Sequence, residues 1–154
     1  MKHDESELVE VRLKSRPSGK IIPEVHFEVV RGTVPERHTL PNDSVLIKVL
    51  YISMDPAMRG WVSEKKSYIP PVKIGAVMRA SGVGVILASR SKSFSDGDFV
   101  SGMLGWRSHA VVNERHLEKI SEYLPAQYNV SLALGVLGGT GLTGYFGLLS
   151  VGQP

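Results

Sequence analysis

Between residues 9 and 120 the chain changes pattern every few residues, and no periodicity lasts long enough for a long helix. Residues 9–14 alternate apolar and polar side chains, and residues 25–30 do so again, which predicts strands with one buried face. Residues 44–52, Ser-Val-Leu-Ile-Lys-Val-Leu-Tyr-Ile, form a β-branched run behind an Asn42-Asp43 turn and give the clearest strand. Residues 76–87 read as a strand interrupted by Gly82 and Gly84, where glycine marks a bulge or corner. Short strands follow at 99–100, 106–112 and 117–120, each entered through turn residues. A helical pattern begins only at Ser131. Six or more short strands followed by terminal helices predict a mainly β fold, a partly open barrel.

The 154 residues suit one domain with a sizeable core, and 16 Gly with 9 Pro suit a turn-rich β architecture. Residues 1–8 are polar and are expected to be disordered, ahead of a domain over 9–130 and a helical connection over 131–154. Net charge is +3, with acidic and basic residues interleaved. No concentrated basic face with aromatics is present, which argues against nucleic acid as a partner. Cysteine is absent, so disulfides, thiolate nucleophiles and Cys-containing zinc sites are excluded. The charged N-terminus carries no apolar signal core, and no run reaches membrane-spanning length. A cytoplasmic protein is the expectation, with no membrane partner.

Two motifs carry chemistry. Gly139-Thr140-Gly141-Leu142-Thr143-Gly144 fits the spacing G-x-G-x-x-G. A dinucleotide fingerprint follows a strand and has an acidic residue about 20 positions on, and neither condition is met here. These glycines are read as a helix start that permits close packing. Ser53-Met54-Asp55-Pro56-Ala57-Met58-Arg59-Gly60-Trp61 is the second motif. Asp55 stands where an N-cap belongs and Pro56 at the first helical position.

Together these motifs resemble the zinc-independent medium-chain reductases, of the prostaglandin reductase and curcumin reductase type. The resemblance implies a GroES-like barrel over 9–130 and a C-terminal helix leading to a Rossmann domain that is absent here. It implies that the chain is half of an NADPH-dependent oxidoreductase reducing the C=C bond of α,β-unsaturated ketones or aldehydes. The parent would be a homodimer with a small-molecule enone or quinone as substrate, and the fragment alone would be inactive. A quinone reductase of the same superfamily and a standalone non-catalytic binding barrel are the alternatives.

The resemblance also implies site residues. The Asp55–Arg59 turn would floor the substrate pocket, with Met54, Ala57 and Arg59 at the site. Many relatives carry Tyr where Ala57 stands, so the pocket here would be wider. Tyr68, in the stiff loop Ser67-Tyr68-Ile69-Pro70-Pro71, would lie beside the substrate. Thr143 and Gly141 would meet the cofactor, and the oxyanion donor would come from the absent half. Ser53 stands where zinc-dependent relatives place a Cys ligand. The histidines (His3, His26, His38, His109, His116) lack metal spacing, so no metal is expected.

Overall fold

A computed structural model describes residues 6–65 and 67–154. Among the described residues, seven antiparallel strands form two sheets. The smaller pairs β1 (Glu7–Leu13) with β2 (Phe27–Thr33), in register from Glu7↔Thr33 to Leu13↔Phe27. The larger has the order β6-β3-β4-β5-β7, built from β3 (Ser44–Ile52), β4 (Gly82–Ser89), β5 (Phe99–Gly102), β6 (His109–Asn113) and β7 (Leu117–Lys119). It curls into a half-barrel, the partly open mainly β fold expected.

β3 is the spine because its first half, residues 44–47, is buried on both faces. Val45 and Ile47 are fully buried beside Ile86, Val100, Leu104 and Ala110. Leu46 points the other way, against Leu40 and Ala88. The register between β3 and β4 slips between Val49 and Tyr51. Gly84 sits at this slip, where a Cβ would lie 2.4 Å from the Lys48 carbonyl oxygen. The glycine therefore permits the close approach that bends the sheet.

The structure revises several boundaries. Glu7 and Leu8 belong to β1 and are not disordered, because Thr33 and Gly32 of β2 pair with them. Residues 1–5 of that expectation lie outside the described residues. Val25 and His26 close a short helix α1 (Pro23–His26). Pro23 starts the turn, and the Ile22 N–H donates to His26 Nδ1 at 2.8 Å, so extended structure begins at Phe27.

Residues 76–81 do not belong to β4. They form the seam that joins the two sheets. The Leu13 N–H donates to the Ala76 carbonyl at 3.0 Å, and Met78 N–H to Val11 at 2.9 Å. On the other side, Trp106 N–H donates to Met78 at 2.9 Å and Gly105 N–H to Ala80 at 3.0 Å. Residues 106–108 likewise bond to β1, through Val11 N–H to Trp106 (2.8 Å) and Ser108 N–H to Val9 (2.8 Å). That is why β6 begins only at His109.

The turn after β3 is helical, as expected, but α2 spans Met58–Trp61 and its N-cap is Ala57. Asp55 contributes its carbonyl to Met58 N–H at 3.0 Å, two positions before that cap. Met58, Trp61 and Val62 pack with Leu13, Val72 and Met78 in a second apolar cluster. A third cluster joins Val83 to Ile120, Leu124 and Ala133, and so docks the C-terminal segment onto the sheet. That segment opens as a 3-10 helix (Val130–Leu134), then forms α3 (Gly139–Phe146) and a π-helical turn (Gly147–Gly152). No helix among the described residues is long and apolar enough to cross a membrane.

Candidate active-site cleft

Strand topology assembles the main cleft. The C-terminal end of β3 lies beside the N-terminal end of β4, which lies beside the C-terminal end of β5. Ser53, Ser81 and Gly102 therefore meet at one rim, with Ser53 N–H donating to the Ser81 carbonyl at 2.8 Å. The start of α3 covers this rim. The open cleft is about 690 Å³ and includes Ser53, Asp55, Ser81, Met103, Gly139 and Thr140 among its walls. Its outer side is formed by Arg115, His116, Glu118 and Tyr123.

The α3 end of the cleft is shaped by glycine. The chain folds back so tightly between Leu132 and Leu142 that a Cβ on Gly141 would stand 1.8 Å from the Val136 carbonyl oxygen. Gly141 N–H donates to the Gly135 carbonyl at 3.1 Å. At Gly139 a Cβ would meet nothing within 4 Å, and this backbone is open to the cleft. The element before α3 is a 3-10 helix and not a strand, so the G-x-G-x-x-G spacing serves chain packing.

Polar groups in the cleft are partly committed to one another. The Thr140 hydroxyl donates to the Gly135 carbonyl at 3.0 Å. The Arg115 guanidinium donates from Nε to His116 Nε2 at 3.0 Å, making that ring nitrogen an acceptor. Ser101 Oγ and Tyr123 Oη stand 3.4 Å apart. Among the described residues no three His, Asp or Glu side chains gather as metal ligands would. Ser53 offers the cleft a neutral hydroxyl, a poor zinc donor.

The residues singled out from sequence divide among several places. Ser53 and Asp55 face the main cleft, while Met54 between them lines a different hollow. That hollow, about 560 Å³, lies against β1, with Val9, Ile52 and Trp106 among its walls. Arg107 also borders it; burial lowers its pKa, partly offset by the charge of Glu10. Ala57 packs against the Met58–Trp61 cluster. Arg59 donates to the Gly19 carbonyl at 3.0 Å and ties α2 to the first turn. Tyr68 is 80% exposed. The Thr143 hydroxyl donates back to the Gly139 carbonyl at 2.7 Å, within α3. Sequence reasoning missed Ser81, Met103, Tyr123 and Thr140 as cleft residues. Ser81 and Met103 meet only through the pairing of strand ends, and Tyr123 joins them from the 3-10 turn after β7. Thr140 was open to inspection, one helical turn from the residue chosen.

This half-barrel with a cleft at its strand ends is the architecture of an oxidoreductase N-terminal domain. A family model described as the N-terminal domain of oxidoreductase matches residues 10–120, and the chain belongs to that family. It is 39% identical over 142 residues to an NADPH-dependent curcumin reductase of Escherichia coli, covering 92% of this chain and 39% of that protein. It is 38% identical over 126 residues to prostaglandin reductase 1 of Mus musculus, covering 82% and 35% respectively. The crystal structure of CurA in complex with NADPH from Vibrio vulnificus superposes with a TM-score of 0.81 at 35% identity, over 95% of this chain and 41% of that one. The chain thus spans about two fifths of the length of these relatives.

Proposed function

We propose that this chain is the substrate-side domain of an NADPH-dependent oxidoreductase that reduces the C=C bond of α,β-unsaturated ketones and aldehydes in the cytoplasm. The observation that carries the reading is the cleft in which Ser53 and Asp55 face Gly139 and Thr140. The similarity to a curcumin reductase and to a prostaglandin reductase supports the reaction class. The likeness to CurA, which was solved with NADPH, supports the cofactor.

The residues at the α3 end fit a cofactor's reactive ring. Gly139 leaves room for a flat group beside its backbone. Thr140 keeps its hydroxyl oxygen as an acceptor, since its proton is given to Gly135. Bound there, NADPH would supply a hydride to the β-carbon of the enone, and negative charge would build on the carbonyl oxygen. That charge needs a preorganised donor. This chain's share is to hold the enone by Met103, Leu117 and Leu137, and to exclude water from the cleft.

The chain supplies one wall only. Leu142, Tyr145, Phe146, Leu148 and Leu149 are all about half exposed along the C-terminal helix. Such a surface expects a cover, which the longer relatives have the length to supply. The test is NADPH oxidation by the full-length protein with trans-2-nonenal, and separately with a simple quinone. Faster turnover of the enal supports the proposal. Turnover of the quinone alone replaces it with quinone reduction, and turnover of neither removes it.

A further inference from the structure

The main cleft does not end at Tyr123. On the far side of that ring lies a second hollow of about 350 Å³, with Phe94, Lys119 and Glu122 among its walls. The two spaces share Leu117, Glu118 and Tyr123 as lining residues. Tyr123 thus borders both the cleft that holds Ser53 and Thr140 and this second hollow.

The ring is held on a fixed base. It follows the 3-10 turn Ile120–Glu122, and the flanking Ile120 and Leu124 are 1% and 5% exposed in the cluster with Val83 and Ala133. Tyr123 itself is 41% exposed and belongs to none of the apolar clusters. Its one side-chain contact of note is the hydroxyl pairing with Ser101 at 3.4 Å, a long and weak bond. The main chain is therefore anchored, and the side chain can be changed without opening the core.

We infer that Tyr123 sets the length of the substrate tail that the reductase accepts, the inference resting on the enone reading above. An enone whose carbonyl end lies toward Ser53 sends its alkyl tail along Leu117 toward Tyr123. With the ring in place the tail meets a wall. With the ring removed, the tail continues to Phe94 and gains burial of additional methylene groups. Phe94 and Leu117 are the aliphatic and aromatic surfaces that a tail would meet there, beside the polar Ser93, Glu118, Lys119 and Glu122.

The experiment compares Tyr123→Ala and Tyr123→Phe with the parent, all in the full-length protein. Crotonaldehyde, trans-2-nonenal and trans-2-dodecenal serve as substrates, with NADPH. Tyr123→Ala should raise the kcat/KM ratio of dodecenal over crotonaldehyde by about tenfold, mostly through KM of the long substrate. Tyr123→Phe keeps the ring and should leave that ratio within about twofold of the parent. An unchanged ratio in Tyr123→Ala, with crotonaldehyde still reduced, overturns the inference and leaves the reductase reading intact. A change of the same size in Tyr123→Phe also overturns it, by assigning the effect to the hydroxyl. No reduction of any enal by the parent fails the reductase reading itself.

Discussion

Lys119 Nζ donates to Asp98 Oδ2 at 2.7 Å, and this contact fastens the entry of β5 to the end of β7. Lys119 stands opposite Val100 in the β5–β7 register, so the pair fastens the edge strand β7 to its neighbour β5. Partial desolvation raises the pKa of Asp98. The hydrogen bond from Lys119, the Ser95 backbone N–H and the Lys119 charge together outweigh it, and the carboxyl titrates below its ordinary value.

Asp98→Asn should accordingly destabilise the domain by about 1 kcal/mol at neutral pH. Because the folded pKa is lowered, the stabilisation is present above the unfolded carboxyl pKa and disappears as pH falls through the folded one. The difference between parent and variant should therefore shrink in acid. Urea unfolding of both proteins from about pH 7 down to about pH 3 checks this. A difference that grows toward acid would contradict the assigned sign.

The glycines of α3 should separate into two kinds. Gly141→Ala puts a methyl group onto the Val136 carbonyl and should cost at least about 1–3 kcal/mol by forcing the fold-back apart. Gly144→Ala meets nothing within 4 Å and should stabilise α3 by about 1 kcal/mol. Thermal unfolding of the two variants in the 154-residue chain checks both signs. Equal effects would mean that Gly141 is not under the constraint described.

The 154-residue chain by itself should fray or self-associate through its C-terminal helix. Tyr145 and Phe146 are 59% and 55% exposed, whereas Val45 and Ile47 of β3 are fully buried. Hydrogen exchange should find the amides of residues 142–149 far less protected than those of residues 45–49, or sizing should find a dimer. A monomer with equal protection in both regions would show that the face needs no cover.

Some of this was legible in the sequence, for physical reasons. β3 announced itself because a strand buried on both faces must be apolar throughout, and residues 44–52 are nearly so. Gly84 marked a bulge because only a residue without Cβ tolerates that approach to Lys48. The seam at residues 76–81 was read as strand because its apolar residues are buried, yet its partners are β1 and Trp106. Burial pattern reports that a segment is covered, not what covers it. The cleft was less legible. Of the Asp55–Arg59 turn read as the pocket floor, Asp55 lines the cleft, while Met54 just before it lines another hollow and none of the other residues singled out for the site borders the cleft. Tyr123 carried no local signal, since it follows a 3-10 turn and reaches the cleft only through the fold.

The central claim is tested most directly by following the hydride. The full-length protein is given trans-2-nonenal and NADPH carrying deuterium at the transferring carbon, and the product is examined by mass spectrometry and NMR. The account predicts nonanal with deuterium at the β-carbon. Deuterium at the carbonyl carbon, in an unsaturated alcohol, would contradict it and make the protein a carbonyl reductase.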